Sequence, residues 1–154
     1  MRIADVLTLD GIVPALKATS KKQVLQELSR RVAERLGVDD KAVFDVLLER
    51  ERLGTTGFGN GVALPHGKLN SLNGLYMMFA RLVKPVDFDA VDGRPVDLVF
   101  LLLTPESAGA DHLKALAKAS RILRDESVCS KIRGGENAEA IYSALLECEQ
   151  EPVT

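Results

Sequence analysis

The chain has 154 residues, of which 46% are hydrophobic, enough for a core that needs neither disulfides nor a metal. Its 20 basic and 22 acidic residues nearly cancel, so no broad positive field favours nucleic acid or an anionic membrane. The longest apolar run, Val96 to Leu103, is far shorter than the roughly 20 residues of a membrane helix, and the first residues lack a signal-peptide pattern. We therefore expect one cytoplasmic domain over residues 1–154.

Two helices are predicted before the middle of the chain. Ser20-Lys21-Lys22-Gln23 has the pattern of a capping box, and the helix that follows ends at Gly37. A second helix begins at Asp39 or Asp40 and runs to Leu53 before Gly54. The first helix is amphipathic, with Val24, Leu25, Leu28, Val32 and Leu36 recurring at helical spacing, and the second is expected to bury Val43, Phe44, Val46 and Leu47.

Strands are predicted next, at Gly61 to Leu64, Leu75 to Val83 and Val96 to Leu103. The last of these is apolar enough to be buried on both faces, and Asp92-Gly93 marks a turn before it. Met77 and Met78 are expected in the core.

Helical spacing returns from Asp111, with Leu113, Leu116, Ala117 and Leu123 predicted on one side. A short turn around Val128 and Ile132 ends at Gly134-Gly135, and a final helix places Ala138, Ile141, Tyr142, Leu145 and Leu146 on one stripe. Helices at both ends of a group of strands predict an α/β fold, a single layered domain with a mixed β-sheet flanked by helices. The cysteines, Cys129 and Cys148, form no metal or disulfide spacing and are expected to be small buried or half-buried side chains.

The segment from Gly54 to Lys68 carries the candidate chemistry. It has four glycines between Gly54 and Gly61, which would let backbone N–H groups approach an anion closely. Thr55 and Thr56 supply hydroxyls, and we favour Thr56 as the group that orients a nearby imidazole. His66, after Pro65, is largely neutral near pH 7 and could carry a phosphoryl group on a ring nitrogen.

Two nucleotide-binding patterns do not match this segment. A P-loop requires Gly-Lys-Ser/Thr, but Gly67-Lys68 is followed by Leu69. The dinucleotide fingerprint would need a glycine where the chain has Leu64. No cofactor is expected, and a zinc site of His66, His112 and a cysteine lacks a supporting ligand spacing.

The sequence from Arg50 to Lys68, RERLGTTGFGNGVALPHGK, resembles the signature of the mannitol/fructose/nitrogen type of enzyme IIA in the bacterial sugar phosphotransferase system. The similarity covers nearly the whole chain, including Val86 to Gly93 and the Asp111-His112-Leu113 that opens a helix. Lys68 after Pro-His-Gly, and the absence of fused membrane or enzyme IIB sequence, resemble the nitrogen-regulatory branch more than the sugar-transport branch.

The resemblance implies a function and a set of site residues. His66 would accept a phosphoryl group from a small HPr-like histidine carrier, with His112 and Arg50 in supporting roles. The protein would then be a phosphocarrier rather than a turnover enzyme, acting through protein contacts on targets such as sensor kinases or potassium transporter subunits.

Several alternatives remain open. A sugar-specific enzyme IIA would pass the phosphoryl group to an enzyme IIB, and a protein-binding module would never be phosphorylated. His112 could simply be a surface or capping residue, and Arg50 could be a solvated charge paired with Glu51 or Asp45.

Overall fold

The computed structural model describes residues 2–150, apart from the side chains of Cys148 and Gln150. The helices are α1 (Ile3–Val6), α2 (Lys21–Leu36), α3 (Asp40–Arg52), α4 (Ala110–Arg124), α5 (Glu126–Gly134) and α6 (Ala138–Gln150), with a 3₁₀ turn at Leu9–Gly11. The strands are β1 (Ile12–Leu16), β2 (Gly57–Gly59), β3 (Val62–Ala63), β4 (His66–Lys68), β5 (Tyr76–Val86) and β6 (Val96–Thr104). Within this described part, no helix has both the length and the apolar character needed to cross a bilayer.

The strands form one six-stranded sheet in the order β1-β5-β6-β3-β2, with β4 also paired to β6. Strands β5 and β6 are antiparallel, whereas β1 runs parallel to β5, and both β3 and β4 run parallel to β6. The predicted mixed sheet flanked by helices is therefore confirmed.

Strand β6 separates two apolar clusters because its side chains alternate between the faces of the sheet. Val99, Leu101 and Leu103 join the cluster under α2 and α3. Leu98, Phe100 and Leu102 join the cluster under α4, α5 and α6. All six side chains are fully buried, which confirms that this strand is covered on both faces. Met77 and Met78 are buried on opposite faces in the same way.

The caps of α2 agree with the sequence signals, with one difference. The Ser20 hydroxyl accepts from the N–H of Gln23 at 3.1 Å, and Gly37 ends the helix with φ +68. The Gln23 carboxamide, however, accepts from Thr19 and not from the N–H of Ser20, so the reciprocal half of the predicted capping box is displaced by one residue. Helix α3 begins after Asp39 and stops at Arg52, one residue before the predicted end.

Three strands were not predicted, because each is short and depends on partners distant in the sequence. Strand β1 contains Pro14, which an edge strand tolerates because the missing N–H costs no ladder hydrogen bond. Strands β2 and β4 are glycine-containing segments of three residues each.

The buried face of α4 also differs from the prediction. Its core residues are Ala115, Ala119, Ile122 and Leu123. Ala117 is exposed and Leu113, in the first turn, is 67% exposed, so their placement on the core side was wrong. The region around Val128 and Ile132 forms a helix rather than a turn, and Cys129 within it is buried. The prediction for the side chain of Cys148 lies outside the described residues.

The residues between β3 and β4 bring the histidine to the end of the sheet. Strands β3 and β4 both pair with β6, and Leu64-Pro65 lies between them. At this break the Pro65 carbonyl accepts from the N–H of Leu102. His66 is then the partner of Leu102 in the ladder, and Lys68 is the partner of Thr104. The carboxyl ends of β4 and β6 therefore meet where α4 begins.

Candidate functional site

Two hydrogen bonds fix the ring of His66, which is half-buried on β4. Its Nδ1 lies 2.8 Å from the carbonyl oxygen of Leu64, and its Nε2 accepts from Nε of Arg50 at 3.2 Å. A carbonyl oxygen only accepts, so we assign the proton of the neutral ring to Nδ1 from this network. Nε2 is therefore the nitrogen with the free electron pair.

The surroundings favour the neutral form of His66. Burial lowers the pKa of its imidazole, and the cation of Arg50 lowers it further. The Leu64 carbonyl and the carboxylate of Glu51 act in the opposite direction, but the pKa remains below its ordinary value. The ring is therefore available as a nucleophile at neutral pH.

His112 lies in the first turn of α4, with its ring centroid 5.9 Å from that of His66. Its Nδ1 is 2.9 Å from the hydroxyl oxygen of Thr104, the last residue of β6. Burial is the main reason that the pKa of His112 is lowered, with smaller contributions from His66 and Lys68. The structure thus places His112 beside His66. It also gives the ring of His112 a buried hydrogen-bond partner, Thr104, that was not predicted.

Arg50 reaches His66 from the last turn of α3. Besides its bond to His66, its guanidinium donates through Nη1 to the carbonyl of Gly54 at 2.9 Å. The alternative of a pair with Glu51 is not what the structure has, because the Glu51 carboxylate is bound by Lys21 and Thr56. Arg50 instead connects the imidazole to the residues that follow α3.

The hydroxyl of Thr56 does not contact the imidazole of His66, and an orienting role of Thr56 through other residues stays a prediction. Its hydroxyl donates to Glu51, while the ring of His66 is held by Leu64 and Arg50. The hydroxyl of the neighbouring Thr55 donates to the carbonyl of Phe88 at 2.8 Å. Both threonines hold backbone segments together, and neither could have been distinguished from the other by sequence spacing.

The residues from Gly57 to Gly61 lie in a hairpin, and the anion-binding role expected of this glycine-rich segment stays a prediction. Strands β2 and β3 form a hairpin whose turn residues, Asn60 and Gly61, both have positive φ, at 58 and 78. Asn-Gly is the preferred pair for such a turn, so the sequence did contain this signal. The N–H of Asn60 donates to Asp92, and the carbonyl of Gly61 accepts from Asp97. Gly57, Gly59 and Gly61 thus belong to the hairpin, whereas Gly54 precedes it.

A cleft of about 630 Å³ opens beside the two histidines. It is lined by side chains of α3, β4 and α4, among them Arg50, Leu53, His66, Lys68 and His112. Arg50, Lys68 and the two imidazoles are the groups on the walls that could bind a small anion. The carboxylates of Asp45 and Glu49 line the same cleft, and Leu53 is 81% exposed at the rim. Among the residues that the structure describes, no group of three or more His, Cys, Asp or Glu side chains could hold a metal ion.

The model of the family described as phosphoenolpyruvate-dependent sugar phosphotransferase system, EIIA 2, matches residues 5–148. The chain therefore belongs to this family, as its motif predicted.

Similar proteins indicate the branch of the family. A nitrogen regulatory protein of Bradyrhizobium diazoefficiens is 57% identical over 145 residues, covering 94% of this chain and 95% of its own length. One of Pseudomonas aeruginosa is 38% identical, with 97% of each chain covered. The crystal structure of nitrogen regulatory protein IIA-Ntr from Neisseria meningitidis superposes with a TM-score of 0.88 at 36% identity, covering 93% of this chain and 98% of that one. The predicted nitrogen-regulatory type of enzyme IIA is confirmed by these relatives.

Proposed function

We propose that the protein is a phosphohistidine relay in which Nε2 of His66 accepts a phosphoryl group from an HPr-like carrier. The observation that carries this proposal is the bond between Nδ1 of His66 and the Leu64 carbonyl, which leaves Nε2 unprotonated in the neutral ring. The lowered pKa of His66 keeps that ring neutral at the pH of the cytoplasm, where we place the reaction.

The transfer step is a displacement at phosphorus. The electron pair on Nε2 attacks the phosphoryl group of the carrier's phosphohistidine, and the N–P bond of the carrier breaks as the new one forms. The electron pair of the broken bond returns to the carrier's imidazole. His66 keeps the proton on Nδ1, so its phosphorylated ring carries a positive charge that the Leu64 carbonyl stabilises.

The remaining groups of the cleft stabilise the phosphoryl oxygens. Arg50 already donates to Nε2, and it is close enough to transfer that contact to an oxygen once Nε2 is phosphorylated. We assign the Thr104 hydroxyl as donor to Nδ1 of His112, which leaves Nε2–H of His112 free to donate to the same group. Lys68 adds a second positive charge at the wall of the cleft.

Phosphorylation would then act as a signal. A dianion in this cleft changes the charge of the surface around Leu53 and His112, and therefore changes which proteins bind there. The relatives are named nitrogen regulatory proteins, which supports targets in nitrogen control. Sensor kinases and potassium transporter subunits are the target classes that we propose to test.

The experiment is intact-mass measurement after incubation with phosphoenolpyruvate, enzyme I and the histidine carrier. We expect wild type to gain one acid-labile phosphoryl group, His66→Ala to gain none, and His112→Ala to gain it more slowly. A reaction without enzyme I is the control. Absence of any gain in wild type would overturn the relay and favour a protein-binding module.

A second reaction distinguishes the regulatory role from sugar transport. Phosphorylated protein is mixed with an enzyme IIB, and transfer to its cysteine is followed by mass. Rapid and complete transfer would favour a sugar-specific enzyme IIA, whereas retention of the phosphoryl group on His66 is expected for the regulatory protein.

A further inference from the structure

A buried carboxylate lies one residue from Arg50. The side chain of Glu51 is only 3% exposed, and all of its described contacts are with hydrogen-bond donors. It accepts from the N–H of Thr56 at 3.0 Å, from the Thr56 hydroxyl, and from the ammonium of Lys21 at 2.8 Å. A carboxylate is costly to bury, so its retention at this position calls for a reason beyond packing.

Two chains of hydrogen bonds connect Glu51 to His66. On one side, the carbonyl of Thr56 accepts from the N–H of Leu64, and the carbonyl of Leu64 accepts from Nδ1 of His66. On the other side, the backbone carbonyl of Glu51 accepts from the N–H of Gly54, whose own carbonyl holds the guanidinium of Arg50. The Leu64 carbonyl is thus linked through Thr56 to the side chain of Glu51, whereas Arg50 is linked to its backbone.

Lys21 supplies the opposite charge from a different helix. Its ammonium lies at the start of α2, 18% exposed, 4.9 Å from the ring centroid of Phe88 and 4.0 Å from Asp89. The ion pair therefore joins α2 to the end of α3 and to the backbone that follows it. Glu51 is fixed from three directions and has little freedom to move.

We propose that Glu51 is a positioning residue for phosphoryl transfer, whose carboxylate keeps Leu64 aligned on Nδ1 of His66 through Thr56 and places a fixed negative charge near the ring. The inference rests on the proposed relay. Glu51 is too deeply buried to contact the carrier, so its effect is exerted through His66.

The Glu51 charge shifts the pKa of His66, and the sign of that shift can be measured. The Glu51 carboxylate raises the pKa of His66, in opposition to burial and Arg50. Other charged or titratable groups line the same cleft: Asp45 and Glu49 on α3, Lys68 on β4 and His112 on α4. Because the ring becomes positive when Nε2 is phosphorylated, a nearby carboxylate stabilises the product and the transition state that leads to it.

The test is Glu51→Gln, which keeps the size of the side chain and removes its charge. Ring-nitrogen NMR of the whole protein reports the pKa and the protonated nitrogen of His66, with His112 as an internal reference. We expect the pKa of His66 to fall and its ring to lose part of its preference for Nδ1–H. The kcat for transfer from the carrier should fall about tenfold, with KM unchanged.

Two further variants make the result interpretable. Glu34→Gln removes an exposed carboxylate that is ion-paired on α2, and it should leave the NMR signals and the rate unchanged. The double variant Lys21→Met/Glu51→Gln leaves no unpaired buried charge, so it serves if Glu51→Gln does not fold, and the pKa of His66 should fall in it as well.

The NMR readout separates this inference from the relay itself. A lowered pKa and an altered ring proton in a protein that the carrier never phosphorylates would show that Glu51 positions the His66 ring, but would reject the relay and with it any role of Glu51 in transfer. An unchanged pKa, ring proton and kcat in Glu51→Gln would overturn the inference, whether or not wild type is phosphorylated. A rise in KM alone would also overturn it, since it would indicate a role in binding the carrier.

Discussion

Carboxylates hold the hairpin segment from Thr56 to Gly61 at both of its ends, in different surroundings. At its start, Glu51 is 3% exposed and binds Thr56 and Lys21. At its turn, Asp97 is 24% exposed and pairs with Arg133, which is 37% exposed and also donates to the carbonyl of Asn60. An ion pair thus lies at each end of this segment, one in the interior and the other near solvent.

The difference lies in what each pair is connected to. The contacts of Glu51 lead through Thr56 and Leu64 to the imidazole of His66. The contacts of Arg133 lead to the hairpin turn and to β6. A buried charge without its partner is costly, whereas an exposed one is hydrated. The first pair should therefore matter for both stability and the site, and the second mainly for the local shape of the turn.

Removal of Lys21, the half-buried cation beside Glu51, should have the largest effect on stability. In Lys21→Met the carboxylate of Glu51 keeps only its Thr56 donors, and we expect a loss of about 3 kcal/mol in the free energy of unfolding. Urea denaturation measures this loss. The double variant Lys21→Met/Glu51→Gln should recover part of it, and a double variant less stable than Lys21→Met would contradict the assignment of a charge penalty.

The second-largest effect on stability is expected at the contact between α3 and β4. A Cβ at Gly67 would lie 2.3 Å from Cγ1 of Val46, so in Gly67→Ala either the Val46 side chain or the backbone of α3, which carries Arg50, must shift. We expect a stability loss of about 2 kcal/mol and a transfer rate lower by up to about a hundredfold. Stopped-flow or quenched transfer from the carrier measures the rate. Adding Val46→Ala removes the clash, and failure of that double variant to recover rate would show that the methyl group acts in another way.

The ion pair of Asp97 and Arg133 should contribute less to the free energy of unfolding. In Arg133→Met the Asp97 carboxylate can be hydrated, and the carbonyl of Asn60 loses one donor, so we expect about 1 kcal/mol of destabilisation. The rate of phosphorylation at His66 should remain that of wild type. Side-by-side urea curves for Lys21→Met and Arg133→Met measure the contrast directly, and equal losses would remove the distinction between the two ends of the segment.

The main elements of the fold could be predicted from local patterns. Helix α2 has its cap at Ser20 and its stop at Gly37, and β6 is a run of apolar residues long enough to identify a central strand. Strand β4 could not be predicted in this way, because three residues with a central glycine form a strand only by pairing with β6. The hairpin turn at Asn60-Gly61 was overlooked because the surrounding glycines indicated an irregular loop.

The site was predictable in its chemistry but not in its supports. His66 was selected from the residues of its own segment and Arg50 and His112 through the family resemblance, and the structure brings all three together. The partner of each ring is a backbone carbonyl or a distant threonine, which no sequence spacing indicates. Glu51 was overlooked because it stands in a run of alternating charges, where an exposed ion pair such as Glu49 with Arg52 is the ordinary outcome.

The smallest expected effect concerns the pH dependence of the free energy of unfolding, which should differ between the surroundings of His66 and those of Arg133. The folded pKa of His66 is lowered by burial, so its neutral form is favoured in the folded state, and its contribution is fully present above the ordinary pKa of 6.5. As the pH falls below 6.5, the unfolded chain takes up the proton first, and stability decreases until the folded pKa is passed. His112 acts in the same direction, because its pKa is also lowered. At the other end, the pKa of Arg133 is raised by its hydrogen bond to Asp97, so its charge does not change in this range.

Urea denaturation between about pH 7.5 and about pH 5.5 should therefore give a shallow loss of stability in wild type and in Arg133→Met, and a smaller loss in His66→Gln. An equal slope in His66→Gln would mean that the imidazole of His66 is not the titrating group and that its burial does not set its protonation state.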